Sequence, residues 1–186
     1  HKHMKTSTEQ QNGIVAILDA LGAACYSDAE VERFMQSREK VLRILNEKIE
    51  VIHGSIESGR ITTFTFNDTI LLVLKCETHE PNLYDIVSFS LLIGKFLVDS
   101  MQHGILFRGS ISIGSFYMNE SANTVMGQAV TDAAAWYDKA DWIGIHATPH
   151  ATIVIQQWIE YSTKKMDKPI HEKFPPRIFA DIVSDL

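Results

Sequence analysis

A carboxylate set inside an apolar strand restricts this chain more than any other feature. Ile14-Val15-Ala16-Ile17-Leu18-Asp19-Ala20-Leu21-Gly22 is apolar almost without a break, and Asp19 stands just ahead of a glycine turn. A run of this kind fits a strand covered on both faces, in the middle of a sheet. An acid at its end is costly unless something compensates it, and a bound cation is the usual remedy. A second acid lies in the stretch from Ile61 to Leu74, where two β-rich runs meet at Asn67-Asp68. That junction reads as a tight hairpin with Asp68 at its tip. Brought together, the two acids make a site for a hard divalent metal.

Length and charge narrow the partners. The 186 residues, 45% of them hydrophobic, are enough for one domain with a full core, assigned to residues 5–186. His1-Lys2-His3-Met4 reads as a remnant preceding a start methionine. With 17 Lys+Arg against 23 Asp+Glu, a formal net charge of -6 argues against a nucleic-acid partner. An acidic protein that handles nucleotides needs metal ions to offset the repulsion. Cys25 and Cys76 give neither metal spacing nor a disulfide framework, which fits free thiols in a reducing cytoplasm. Leu83 to Met101, the most apolar long stretch, contains Asp85, Lys95 and Asp99, so a core helix is expected and no membrane span.

The remaining elements follow from periodicity. Ser27-Asp28-Ala29-Glu30 is a capping box opening a helix whose apolar stripe runs from Val31 through Phe34, Met35 and Leu45 to Ile52, ending near His53-Gly54. Pro81-Asn82 opens a second helix with Ile86, Phe89, Ile93 and Phe96 on its stripe. Ile105 to Tyr117 alternates as a strand: Phe107, Ile111 and Ile113 share one face, Arg108, Ser110 and Ser112 the other. Later elements are expected as a helix over Thr131–Ala140, a strand around Trp142–Ile145 and a helix over Thr152–Tyr161. The proline-broken stretch from Ser162 onward receives no assignment.

Strand, helix, strand, strand, helix, strand is the split βαβ order: an α+β, ferredoxin-like (βαββαβ) palm with an antiparallel sheet. Its first and third strands are neighbours, so Asp19 and Asp68 fall at the same end of the sheet. The fourth strand starts there as well and brings Arg108. Phe64, Phe66 and Leu106 are expected on a sheet face left without helices, which a second subunit would cover.

These residues carry a family resemblance. Ile17-Leu18-Asp19-Ala20-Leu21-Gly22 resembles the first metal motif of class III nucleotidyl cyclases, and Phe66-Asn67-Asp68 resembles the second. Arg108-Gly109-Ser110-Ile111-Ser112-Ile113-Gly114, then Gly127-Gln128-Ala129-Val130 before an alanine-rich helix, resemble the later blocks in the same order. The size, the Asn-Asp-Thr hairpin and Arg-Gly-Ser-Ile-Ser look most like the bacterial pyrimidine cyclases of the Pycsar anti-phage systems. The resemblance implies a class III cyclase catalytic domain that converts UTP, or alternatively CTP, to a 3′,5′-cyclic nucleotide and pyrophosphate. It further implies a head-to-tail homodimer with nucleotide bound between subunits, and two Mg²⁺ or Mn²⁺ ions.

The roles implied are these. Asp19, Asp68 and the Ala20 backbone hold metal; peptide N–H groups of the turn from Ala20 to Ala24, Leu21 and Gly22 among them, cradle phosphate oxygens. Phe64 stands where purine-cyclising relatives read the base with a lysine, which implies a stacking platform and pyrimidine choice. Thr124 and Thr131 are candidates to read the base edge. The family's late-helix Asn and Arg fall on Thr131 and Ala135 here, leaving Arg108 or Lys139 to stabilise phosphoryl charge. Each residue also has a plain reading: Asp19 as a turn cap, Asp68 as turn chemistry, Arg108 as an ion pair, Phe64 as interface packing, Lys139 as a solvated helix residue. Two other classes stay open, an oligonucleotide synthetase with a related palm and a catalytically weak cyclase-like dimerisation or nucleotide-sensing module.

Overall fold

The computed structural model describes residues 10–52, 60–76, 81–139 and 142–165. The helix end expected at His53-Gly54, the leader at residues 1–4 and the tail from residue 166 lie outside them. Strand β1 (Gln10–Ala20) is followed by helix α1 (Asp28–Ile52), the hairpin strands β2 (Ile61–Phe66) and β3 (Thr69–Cys76), and helix α2 (Leu83–Gln102). Strand β4 (Phe107–Asn119), the short β5 (Thr124–Met126), helix α3 (Gln128–Trp136), strand β6 (Gly144–Ala147) and helix α4 (Pro149–Lys165) complete the order. The strands align as β2-β3-β1-β4, all antiparallel, with β5 antiparallel and β6 parallel along the outer side of β4. The first four strands have the ferredoxin-like order, and the parallel β6 adds to the antiparallel sheet expected.

β1 is central and covered on both sides, as its composition requires. Ile14, Ala16 and Leu18 belong to the larger core, with α1 and α2 packed over them; Val15 and Ile17 face the other way. Here the expectation of an uncovered face is corrected. Ala129 and Ala133 of α3 pack on Val15, Ile17, Phe64 and Phe116, and Phe64 is only 1% exposed. Alanine's small side chain lets α3 lie close on the sheet, so Phe64 is core rather than a platform open to a second subunit. Phe66 and Leu106, at the same end of the sheet as Asp19, remain exposed.

Helix ends follow local chemistry. Asn82 and Asp85 form a reciprocal capping box on α2, and Asp85 also takes an ion pair from Arg60 at 2.9 Å. At α1, Glu30 accepts from both the Ser27 N–H (2.8 Å) and the Ser27 hydroxyl (2.6 Å), so only half of the expected box forms. α3 begins at Gln128 and not at Thr131 because Gly127, at φ 138°, lets the chain turn hard against β4. A Cβ there would lie 2.6 Å from Phe116 Cα. α4 begins at Pro149, a residue suited to a first helical turn, with the Thr148 hydroxyl accepting from Ala151 N–H at 3.2 Å.

Candidate functional site

The sheet register assembles the site. Asp19 pairs with Thr69 on one side and with Arg108 on the other, and Phe66 pairs with Thr69. Cross-strand partners share a face, so Phe66, Thr69, Asp19 and Arg108 form one row at one end of the sheet. Asp68 stands beside them in a two-residue loop, with Asn67 in the left-handed region at φ 48°. That conformation is tolerated by asparagine and avoided by most residues. The Asp68 carbonyl accepts from Ala20 N–H at 3.2 Å, which ties the hairpin tip to the end of β1.

The Asp19 carboxylate is loosely held. Arg108 donates to one oxygen from two nitrogens, both at 3.4 Å, and the Thr69 hydroxyl donates to the other at 3.3 Å. These lengths are at or beyond the ordinary range, so neither oxygen is saturated. Burial, and then the neighbouring Asp68 charge, push the Asp19 carboxyl above its usual pKa, and Arg108 offsets this only in part. Two carboxylates that repel one another, with loose hydrogen bonds, are a donor set that suits a hard divalent cation. Asp19 and Asp68 would hold it. Among the described residues no group of three or more metal-ligating side chains exists, so the rest of the coordination would come from backbone oxygen, water or substrate.

The turn after β1 is partly committed. Ala20 N–H donates to Asp68 and Leu21 N–H to the Leu106 carbonyl at 2.8 Å, so these two are not available as a phosphate cradle. Gly22, left-handed at φ 81°, opens a single turn of 3-10 helix over Ala23–Cys25. The N–H groups that follow, from Gly22 to Ala24, are the part of the turn left for an anion.

Other sequence candidates fall elsewhere. Thr124 pairs with Asn119 at the opposite end of β4, eleven strand residues from Arg108 or roughly 36 Å, and its hydroxyl donates to Ala122. It does not reach Asp19 in the same chain. Thr131 is exposed on α3, as is Ala135. Lys139 lies in the turn after α3, exposed, 3.6 Å from Asp138. α3 runs antiparallel to β4, since Ala129 faces Gly114 while the Ala133 carbonyl accepts from the Ser110 hydroxyl at 2.7 Å. Its C-terminal end therefore points toward the Asp19 end of the sheet.

Two residues were not singled out from sequence. Thr69 supports Asp19, and its signal is the register, opposite Asp19 across the β1–β3 pair. Arg38 lines an open cleft of about 550 Å³ between α1 and the β2–β3 hairpin, together with Ala23, Tyr26, Phe34, Asn67 and Asp68. Its signal is a cation within the spacing of an apolar helix stripe, between Phe34 and Val41.

No protein-family model matches the sequence, and no curated protein matches it. Solved structures do. The adenylyl cyclase CyaB from P. aeruginosa is 13% identical with a TM-score of 0.55, over 80% of this chain and 82% of that one. A dimeric guanylyl cyclase domain of the RhoGC fusion protein from the aquatic fungus Blastocladiella emersonii is 14% identical with a TM-score of 0.56, over 80% and 86%. The catalytic core of a rhodopsin-guanylyl cyclase with converted specificity, in complex with ATPαS, is 13% identical with a TM-score of 0.54, over 81% and 85%. The chain has the α+β fold of these nucleotidyl cyclase domains.

Proposed function

We propose that this chain is a metal-dependent nucleotidyl cyclase that converts UTP to 3′,5′-cyclic UMP and pyrophosphate. The observation that carries the reading is the pair Asp19 and Asp68, joined at one end of β1 inside a cyclase-type sheet, with the Asp19 carboxyl raised by burial and by its neighbour. In the reaction the ribose 3′-hydroxyl attacks the α-phosphorus and pyrophosphate leaves. Two Mg²⁺ or Mn²⁺ ions held at the pair would acidify the hydroxyl and neutralise the triphosphate. Arg108 supplies a fixed positive charge beside Asp19, and the Gly22 and Ala23 N–H groups orient phosphate oxygens.

Choice of a pyrimidine rests on the resemblance to the pyrimidine cyclases and on the lack, at position 64, of the lysine that purine-cyclising relatives carry. A buried phenylalanine there offers no hydrogen bond to a purine edge, and no stacking platform either. UTP is taken as the substrate with CTP as the alternative, since the resemblance to the Pycsar enzymes covers both, and anti-phage signalling is the role that resemblance suggests. A homodimer follows from the same kinship: Phe66, Leu106, Trp136 and Trp142 are exposed apolar residues that a second copy would cover. In such a head-to-tail pair Thr124 and Thr131 of one subunit would serve the site of the other.

A second reading, a cyclase-like nucleotide-sensing module without turnover, is favoured by Ala135, which puts an exposed methyl where the family carries its transition-state arginine. Incubation with each of the four NTPs and Mn²⁺, with products identified by mass, separates the readings. Cyclic UMP is expected; cyclic CMP would redirect the base, and bound but unchanged nucleotide would establish the sensing module. Sedimentation at micromolar concentration tests the dimer, which a stable active monomer would refute.

A further inference from the structure

The cleft between α1 and the hairpin holds a cation, Arg38, that no other described residue pairs with. Arg38 Nε is shut off from solvent and has no hydrogen-bond partner among the described residues. None of the ion pairs formed among those residues involves it, whereas Arg60, Arg108, Lys48 and Lys75 are all paired. A buried guanidinium N–H without an acceptor is costly and calls for an anion. The same cleft is bordered by Asp68, by Asn67 at the hairpin tip and by Ala23 of the turn that follows Gly22. It therefore reaches one member of the carboxylate pair, Asp68, at the hairpin tip. An anion entering it is repelled by Asp68 unless a divalent cation sits between them. That excludes a bare anion and selects a metal-bound one.

We propose that Arg38 is a substrate-binding residue that takes the terminal phosphate of a metal-bound polyphosphate, in the same chain as Asp19 and Asp68. The assignment rests on the nucleotide reading above and deepens it. The planar fork of arginine matches two phosphate oxygens at once, which a lysine cannot do. The cleft's size is ordinary for a ligand of this kind. One wall is apolar, made by Phe34 with Val31 and Met35. The leaving pyrophosphate would thereby be held by α1, away from the sheet face on which α3 lies.

The test is direct binding of inorganic tripolyphosphate in the presence of Mn²⁺, by calorimetry, to the wild-type protein, Arg38→Ala and Arg38→Lys. Arg38→Ala is expected to weaken binding tenfold or more, and Arg38→Lys to restore only part of it. The thermal midpoint of ligand-free Arg38→Ala should be unchanged or higher, because no internal bond is lost. Equal affinity in wild type and Arg38→Ala would overturn the assignment, as would a wild-type protein that binds no tripolyphosphate. Failure of the cyclase reading looks different: UTP would then bind with Arg38-dependent affinity while no cyclic product forms.

Discussion

Replacing Asp132 with alanine would test how α3 is held on the sheet. One oxygen of the Asp132 carboxylate accepts from the Ser112 hydroxyl of β4 at 2.6 Å and from the Thr148 hydroxyl before α4, also at 2.6 Å. Both hydroxyl residues are fully buried, so neither finds water when the carboxylate is removed. Hydrogen bonds to a charged acceptor contribute about 1.5–3 kcal/mol each, and orphaned buried donors cost a similar amount. Asp132 itself is only partly buried, which reduces the sum. Asp132→Ala is therefore expected to destabilise by about 2–4 kcal/mol, a fall of roughly 5–15 °C in Tm for a domain of this size. Ser112→Ala alone removes one bond and, with its acceptor partly exposed, should cost about 1.5 kcal/mol, the low end of the range for a charged acceptor. Added to Asp132→Ala it should cost almost nothing further, since its acceptor is already gone. Urea unfolding of the four proteins reads this cycle. A loss below about 0.5 kcal/mol for Asp132→Ala, or full additivity with Ser112→Ala, would refute the anchoring role.

Asp19→Asn should stabilise the metal-free protein at neutral pH. A raised folded-state pKa gives stability that is complete below the ordinary value of 3.8 and is lost as pH rises through the raised one, so the wild type should lose stability over that window while Asp19→Asn does not. A variant less stable than wild type at pH 7 without metal would contradict this. Mn²⁺ at 100 times its Kd should add about 2.7 kcal/mol to the wild type and far less to Asp19→Asn, read by thermal unfolding. Asp19→Ala and Asp68→Ala should each abolish turnover on UTP while retaining the wild-type circular dichroism spectrum; cyclic product at near wild-type rate from either would sink the metal assignment. Phe64→Ala should cost about 3–5 kcal/mol of folding stability, as expected for a buried ring. A change in UTP kinetics with stability intact would restore a direct role in base recognition.

Much of the site could be read from sequence because it is made by strand register. The alternation of residues 105 to 117 fixes the face of Arg108, and the split βαβ order fixes its neighbour, so Asp19, Asp68 and Arg108 converge without knowledge of any side-chain contact. What escaped depends on distance or on helix placement. Phe64 and Phe66 share one face, yet only Phe64 lies under α3, and alternation does not say how far a helix extends over a sheet. Thr124 lies at the far end of the 13-residue β4, so any contact with a base would have to come across a second copy, which alternation within one chain does not reveal. The N–H groups of Ala20 and Leu21 looked available in the turn and are used instead by Asp68 and Leu106. Arg38 sits on a helix, where a cation ordinarily reads as solvated; only the hairpin folding against α1 makes its position unusual.

The central place of β1 has a consequence for how the chain emerges from the ribosome. Its first neighbour, β3, is made about 50 residues later, and its second, β4, about 90 residues later, as the Asp19 pairings show. At roughly 5–20 residues per second, an apolar strand waits several seconds for one neighbour and up to about 18 s for the other. During the second interval β1, β2 and β3 can form a three-stranded sheet whose β1 edge, later closed by β4, stays open. That edge is an unpaired apolar backbone of the kind other nascent chains add to. Asp19, at its far end, is the one charge on the edge between Gly13 and Ala20. The acid at the end of β1 thus also interrupts the stretch most prone to mispairing while the chain is being made.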